Sequence, residues 1–437
     1  MRYRPTFRPT EFNLLLLPGA LAIVGMLTIF LVGRGAVDWT WGDIWISLAA
    51  AGTLIATSIT FGLRGFRGDQ VLFPITATLA IIGMLMIQRL HPSLVEIDEN
   101  YSFLAQRHLM YLAAGLVGLW LVVMLSGPLK VDQWLRRYKY TWLLLTLALQ
   151  AATFFIGTEV GGARLWINLG PIQIQPSEIS KVTLVIFLAA YLDDKRDLIG
   201  SSWQVGRLQL PPIPYMLPMG IMWLASLLTL VMLNDLGPAL LFFGVFLAML
   251  YIASGRLIYV GVGLVTFGIA CWVAWTTFSR IDIRVNNWLD PFWDPYGFGY
   301  QPVQSDYSLS AGGLFGTGFG QGHPTYISQV QTDYIFSAIG EELGLLGTLA
   351  LIALYFLFVM RSYAIALRAE DGFVQLCVAG LATSLAIQTI IIIGGVTRLI
   401  PLTGITLPFI SYGGSSLITN LGVVGLILYM SNLPRRA

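Results

Sequence analysis

The feature that most constrains this chain is the spacing of its apolar runs. Stretches of about 20 residues with few or no charges recur near 14–33, 43–62, 71–89, 108–126, 140–156, 178–192, 213–233, 236–254, 257–278, 335–360, 373–395 and 407–430. An α-helix needs about 20 residues to cross hydrocarbon. In lipid, only helices and closed barrels can pair all of their own backbone groups. The expectation is an all-α, polytopic integral membrane protein, a bundle of about 12 transmembrane helices. Composition agrees: 56% of the 437 residues are hydrophobic and 11% are charged, against roughly 25% charged in a soluble domain. A soluble core cannot absorb that much apolar surface, so a soluble enzyme is excluded. So is a nucleic-acid binder, because a net charge of +2 from 25 basic and 23 acidic residues leaves no basic surface to spare. Cys271 and Cys377 both lie in apolar runs, which excludes a disulfide framework. His91, His108 and His323 lack ligand spacing, which argues against zinc. The first run has no small-residue cleavage site and is expected to be a retained helix.

Lys and Arg set the expected orientation, because cytoplasmic loops are enriched in them. With Arg2, Arg4 and Arg8 inside, an even number of spans puts Arg435 and Arg436 inside too. That choice places 17 of the 25 basic residues on the cytoplasmic side. Both termini are then cytoplasmic. Two long stretches, about 157–177 and about 279–334, fall outside. The second is dense in Gly, Pro, Asp, Asn and Gln but also aromatic (Trp288, Phe292, Trp293, Tyr296, Phe298), which argues against disorder. Its glycine run, Gly316 to Gly322, has the wrong spacing for a dinucleotide fingerprint and reads as a flexible loop. The chemistry is therefore expected on the outer face.

Ionisable residues at membrane depth are functional candidates, weighed against capping, snorkelling or internal pairing. Arg164 sits among glycines, where a backbone can approach a ligand. Pro176-Ser177-Glu178 reads as a helix start with Ser177 as cap, and Lys181 lies on the same face as Glu178. Asp235 fits a tight turn. Two Asp-Pro pairs, Asp290-Pro291 and Asp294-Pro295, are routine helix starts, or else carboxylates at the membrane surface suited to general-base or metal chemistry. Asp333 closes the long loop, and Glu341-Glu342 fall inside the following span, where they are costly unless paired. Around Arg398, prolines and glycines break the helix, as is tolerated only against protein or a wet cavity. Arg164, Lys181, Arg280, Arg284 and Arg398 run against the positive-inside bias and suit a phosphate or pyrophosphate headgroup. They equally suit internal pairing with Glu178, Asp235, Asp290 and Asp333.

Several of these segments occur in the order found in one family. Gly162-Ala163-Arg164-Leu165-Trp166-Ile167, Gln175-Pro176-Ser177-Glu178 with Lys181, and Asp235-Leu236-Gly237 come first. Leu289-Asp290-Pro291, Asp294-Pro295, Gly299-Tyr300-Gln301 and Gln304-Ser305 follow. Gly312-Gly313-Leu314, Thr332-Asp333-Tyr334-Ile335-Phe336, Glu341-Glu342-Leu343-Gly344 and Leu407-Pro408-Phe409-Ile410-Ser411-Tyr412-Gly413-Gly414 complete the set. The chain resembles the SEDS family (shape, elongation, division and sporulation) over about 71–430, leaning toward its elongation branch. The family usually has about ten spans, so residues 1–66 are expected to be an extra helix pair and 67–437 the family's membrane domain. Asn-Asp-Leu-Gly-Pro at 234–238 departs from the usual Asp-Leu-Gly-Thr, and Gln331 stands where a histidine often precedes Thr-Asp.

The resemblance implies a peptidoglycan glycosyltransferase that polymerises lipid II on the outer side of a bacterial cytoplasmic membrane beside a class B penicillin-binding protein. It maps the catalytic aspartate to Asp290. The expected substrate-binding residues are Arg164, Glu178, Lys181, Arg284, Gln301, Ser305 and Arg398. No tightly bound cofactor is expected. A divalent cation, Mg or Mn, is an option at Asp294. Two other functions compete, a lipid II flippase and a non-catalytic scaffold for the penicillin-binding protein. Neither requires a carboxylate base at the surface.

Overall fold

The computed structural model describes residues 7–31, 45–160, 163–169, 172–196, 203–205, 208–210, 213–233 and 235–434. Gly161-Gly162, Gly170-Pro171, Arg207 and Asn234 lie outside the described residues, as do Arg2, Arg4, Arg435 and Arg436 of the orientation argument. The expected spans are present as α1 (Pro9–Leu31), α2 (Trp45–Leu63), α3 (Leu72–Ile97), α4 (Leu104–Leu129), α6 (Lys139–Ile156, after the short α5, Val131–Arg137), α7 (Pro176–Asp194), α8 (Ile213–Met232), α9 (Leu236–Ser254), α10 (Leu257–Thr277), α13 (Ile335–Arg368), α14 (Gly372–Val396) and α15 (Gly414–Ser431). Among the described residues, ten helices are long and apolar enough to cross a membrane. The other two expected spans are α8 and α7, the latter with Glu178, Lys181, Asp193 and Asp194 within its 19 residues. In α10 only Tyr259 is buried. A helix this apolar with its side chains uncovered is stable only against lipid.

The stretches between spans carry secondary structure of their own, the 279–334 stretch most of all. It contains α11 (Ser279–Leu289), a 3₁₀ turn at Pro291–Trp293 and α12 (Tyr300–Gly312). Residues 158–174 form a three-stranded antiparallel sheet, β1 (Thr158–Val160), β2 (Ala163–Leu169) and β3 (Ile172–Ile174). The chain divides into two compact units. The first comprises Met1–Val123, Ser279–Arg361 and Gln388–Leu428; the second comprises Met124–Phe278, Ser362–Ile387 and Tyr429–Ala437. The division does not follow a boundary at 66/67, since α1 and α2 pack on α3 within the first unit. A buried ion pair secures that packing. Arg8 donates to Glu11 Oε2 at 2.5 Å and to the carbonyls of Phe66 and Asp69 at 2.8 and 2.7 Å.

The paired carboxylates of α13 organise the glycine run, which is ordered rather than a flexible loop. Thr317 N–H donates to Glu341 O at 2.9 Å and Gly318 N–H to Glu342 O at 3.1 Å. Gly320 N–H donates to Glu342 Oε2 at 2.9 Å, and Glu341 accepts from Ser308 Oγ and His323 N–H. Arg89 pairs with Glu342 at 2.9 Å, both buried. This resolves the desolvation cost of two adjacent carboxylates: each has a counter-charge or several donors. The helix breaks immediately after them, at Gly344 (φ +66°), where a Cβ would collide with the backbone N of Gly316. Only glycine fits that approach.

Glu342→Ala leaves the buried Arg89 guanidinium without its counter-charge. The expected loss is about 3–5 kcal/mol of stability, read as a lower thermal unfolding midpoint of the purified protein in detergent. An unchanged midpoint would show that this pair does not hold the 313–323 segment.

Candidate functional site

A cavity of about 200 Å³ opens in the first unit. Its wall brings together three of the expected substrate-binding residues, Arg284, Gln301 and Arg398, with Trp288, Asp333 and Gly404. The segments that form it are α11, the start of α12, the residues before α13 and the irregular backbone after α14.

Arg398 ties these segments together. It occupies the left-handed region (φ +59°), which is uncommon for a residue with a side chain. Its guanidinium donates to the carbonyls of Trp288 and Leu289 at 3.1 and 3.3 Å, the unsatisfied C-terminal carbonyls of α11. The other arm meets Asp306 on α12 at 2.9 Å. Trp288 returns a bond, Nε1–H to Arg398 O at 2.9 Å. Among the described residues, Arg398 Nε is buried without a hydrogen-bond partner. Arg284 donates to Thr403 O at 3.2 Å. Internal pairing was therefore the right expectation for Arg398, but its partner is Asp306 rather than Asp290 or Asp333.

Asp333 is the carboxylate in the cavity wall. Burial pushes it up to about 6, partly offset by a bond from Thr332 and the charge of Arg284. Gly404 (φ +76°) faces it, and a Cβ there would stand 3.5 Å from Asp333 Oδ2. Neither Asp306 nor Asp333 was among the residues expected to bind substrate. The signal for Asp333 was its Thr-Asp-Tyr context; Asp306 had none, being one acid on a polar helix.

The two Asp-Pro aspartates differ. Asp290 is exposed and caps the 3₁₀ turn, its Oδ1 accepting from Phe292 N–H at 3.0 Å, with Pro291 at the first helical position. This is the helix-start role that the sequence allowed. Asp294 holds a tighter turn: Oδ1 accepts from Gly297 N–H at 3.1 Å and Oδ2 from Phe298 N–H at 2.9 Å. Phe298 lines the cavity, and its carbonyl accepts from Asn287 Nδ2 at 2.7 Å. Asp294 thus fits a turn-former better than a metal ligand. Among the described residues no group of three or more His, Cys, Asp or Glu could hold a metal ion.

The remaining expected residues lie elsewhere. Ser305 is buried against Ser337, the two hydroxyls 2.6 Å apart, so it packs α12 on α13 rather than facing a substrate. In the second unit, Lys181 Nζ donates to Glu178 Oε2 at 2.5 Å, both buried, as the i,i+3 spacing anticipated. Ser177 is not the cap of α7; Gln175 is, because Pro176 takes the first helical position. Arg164 lies on β2, and its side chain falls outside the described residues.

Comparison with known proteins agrees with this architecture. Residues 69–435 match the FtsW, RodA and SpoVE family, described as cell cycle protein. The chain belongs to that family. It is 37% identical to the peptidoglycan glycosyltransferase RodA of Mycobacterium tuberculosis over 99% of this chain and 92% of the relative. It is 34% identical to the stage V sporulation protein E of Bacillus subtilis over 84% of this chain and 98% of the relative. Among solved structures, it matches a chain of a peptidoglycan synthase complex that coordinates polymerization and crosslinking, with a TM-score of 0.66 and 28% identity over 83% of this chain and 97% of that one. It also matches the Thermus thermophilus rod shape determining protein RodA, with a TM-score of 0.59 and 27% identity over 83% of this chain and 96% of that one. The FtsW/RodA family match begins at residue 69, whereas the mycobacterial RodA aligns over nearly the whole chain, α1 and α2 included. The chain is thus a polytopic all-helical membrane protein with bacterial relatives.

Asp333 has a pH signature. An acid raised from 3.8 to about 6 on folding holds more protons in the native than in the unfolded state across that window. Stability contributed by the neutral form is therefore lost as pH rises from about 4 to about 6. Asp333→Asn is expected to raise the thermal unfolding midpoint near pH 7.5 and to leave it unchanged near pH 4. A lower midpoint at both values would make Asp333 a structural anion instead.

Proposed function

We propose that this protein is a peptidoglycan glycan-strand polymerase, joining lipid II units on the outer side of the cytoplasmic membrane. The observation that carries the reading is the cavity with Arg284 and Arg398 in its wall beside the Asp-Pro turn, in a chain whose relatives are named peptidoglycan glycosyltransferases. The orientation rests on the 17 of 25 basic residues that one topology gathers on the cytoplasmic side, with both termini there.

Glycan polymerisation joins a sugar hydroxyl to an anomeric carbon while a lipid pyrophosphate departs. The hydroxyl must lose a proton, and the leaving charge must be stabilised. Arg284 and Arg398 supply fixed positive charge in a partly enclosed site, where a guanidinium binds phosphate oxygens through paired donors. Trp288 and Gln301 position the sugar–pyrophosphate headgroup. Asp290 is the general base: it is exposed, and its bond to Phe292 N–H engages only Oδ1. Direct displacement by the acceptor hydroxyl inverts the anomeric centre. A second assignment of the base, to Asp294, draws support from its orientation: two backbone N–H groups fix that carboxylate against cavity-lining Phe298. No step of this reading runs through a cation at Asp294, whose two oxygens each accept a backbone N–H.

The partner is a class B penicillin-binding protein. The support is that a matched chain belongs to a complex coordinating polymerization with crosslinking.

The test is lipid II polymerisation by purified protein, with and without that partner. Asp290→Asn should lower turnover by about 10²–10⁴-fold, the usual worth of a general base, while lipid II binding persists. Loss in Asp294→Asn alone transfers the base to Asp294. No glycan from wild type, even with the partner, rejects the polymerase reading in favour of headgroup translocation. In the same assay, Arg398→Lys should lose more than tenfold, since an ammonium cannot reproduce a fork spanning Asp306 and two carbonyls. Full activity in Arg398→Lys would remove that residue from the site.

A further inference from the structure

The cavity wall continues outward as a pair of exposed aromatic rings. Trp293 and Phe298 are 46% and 61% exposed, with ring planes 15° apart and centroids 6.4 Å apart. Phe298 lines the cavity and Trp293 does not, so the pair leads from the cavity wall toward its outside. Side chains on a surface turn are ordinarily mobile. These are fixed from several sides. Asp294 Oδ2 accepts from Phe298 N–H at 2.9 Å, and Phe298 O accepts from Asn287 Nδ2 at 2.7 Å. The same Asn287 accepts through Oδ1 from Trp293 Nε1–H at 2.8 Å. One orientation of that amide serves both rings, since an indole N–H only donates and a carbonyl only accepts. Asn287 lies on α11 next to Trp288, whose carbonyl accepts from Arg398. The rings are therefore held by the same helix end as a cation of the cavity.

The way they are held narrows the occupant. An aromatic anchor at a membrane surface keeps its polar edge in water. Trp293 donates its N–H into the protein and Phe298 has no polar edge, which leaves ring face as the surface on offer. Asp290 caps the turn that carries Trp293, and Asp294 closes it. Carboxylates there repel an anionic lipid headgroup but accept bonds from hydroxyls. A pyranose ring suits both features. The C–H bonds on its face meet the negative face of an aromatic ring, and the hydroxyls around its edge meet the carboxylates.

We propose that Trp293 and Phe298 form a stacking platform for an uncharged sugar ring of the glycan strand, just outside the reacting centre. This rests on the reading of the chain as a glycan polymerase. The arginines take the pyrophosphate, and the ring pair takes a saccharide of the strand. A polymerase that adds units in succession must keep its strand between additions. Two fixed rings do this at low conformational-entropy cost. They also let the strand advance, because successive sugars each present a C–H face. No bond is made or broken at the platform, and Trp293 has no part in proton transfer.

The test is lipid II polymerisation by the full-length protein with its penicillin-binding partner, reading strand length at equal lipid II consumption. Trp293→Ala should shorten the mean strand by about two- to tenfold, the usual worth of one ring contact. Strand length should fall by a larger factor than the rate of lipid II consumption. Trp293→Phe should recover most of the length, because a ring face returns without the indole N–H. Trp293→Leu should not, because it restores apolar bulk without a ring. If no variant at 293 folds, Asn287→Ala, which keeps both rings but releases them, should shorten the strands as well. Wild-type strand lengths in the Ala variants overturn the inference and leave the polymerase reading standing. Recovery by Trp293→Leu overturns it in favour of plain apolar contact with lipid. Short strands together with loss of the partner on co-purification overturn it in favour of a protein-docking surface. No strands from wild type overturn the polymerase reading, and the inference with it.

Discussion

The candidate site depends on one side chain paired in three directions. Arg398 holds the last carbonyls of α11, the acid of α12 and, through its own carbonyl, the indole of Trp288. Irregular backbone beside a membrane is tolerated only where its polar groups find partners within the protein. The stretch after α14 meets that condition through Arg398, and Arg398 accepts a left-handed backbone to do so. Without the clasp, a helix end, an acid and a broken strand of chain would each need solvent. With it they enclose a polar cavity bearing fixed positive charge.

The same constraint explains the buried acids. Glu341 and Glu342 lie in a helix of membrane-spanning length, where an unpaired carboxylate is expensive. They persist because the glycine run folds its N–H groups onto them and Arg89 supplies the counter-charge. The glycines there have a structural cause: Gly344 approaches Gly316 more closely than any Cβ permits. Asp333 is the exception. It sits in the cavity wall, where burial raises its proton affinity.

Much of the architecture was legible in the sequence because membrane helices obey a one-dimensional rule. Each of the twelve apolar runs contains a helix, ten of them among the described residues long and apolar enough to cross a membrane, and Glu178 with Lys181 paired as their spacing implied. The site was legible in part. Arg284, Gln301 and Arg398 converge, although they span more than a hundred positions; the two cations stand out against the positive-inside bias, and Gln301 comes from the family resemblance. Distant pairings were not legible. Nothing local links Arg398 to Asp306, 92 positions away, or to Trp288, 110 positions away. Ser305 shows the converse error: a hydroxyl in a suggestive motif turned inward and packed on Ser337. Gly316 to Gly322 read as flexible because glycine allows many conformations, yet a few N–H bonds to two carboxylates select one.

The central claim is that the donor headgroup binds in the cavity between α11 and the turn after α14. The direct measurement is photocrosslinking of a lipid II analogue, with a photoreactive group on the sugar next to the pyrophosphate, followed by peptide mapping of the purified protein. The account predicts labels within 284–301 and 395–404. Labelling confined to other segments, with those two unmarked while the protein still makes glycan, would contradict it.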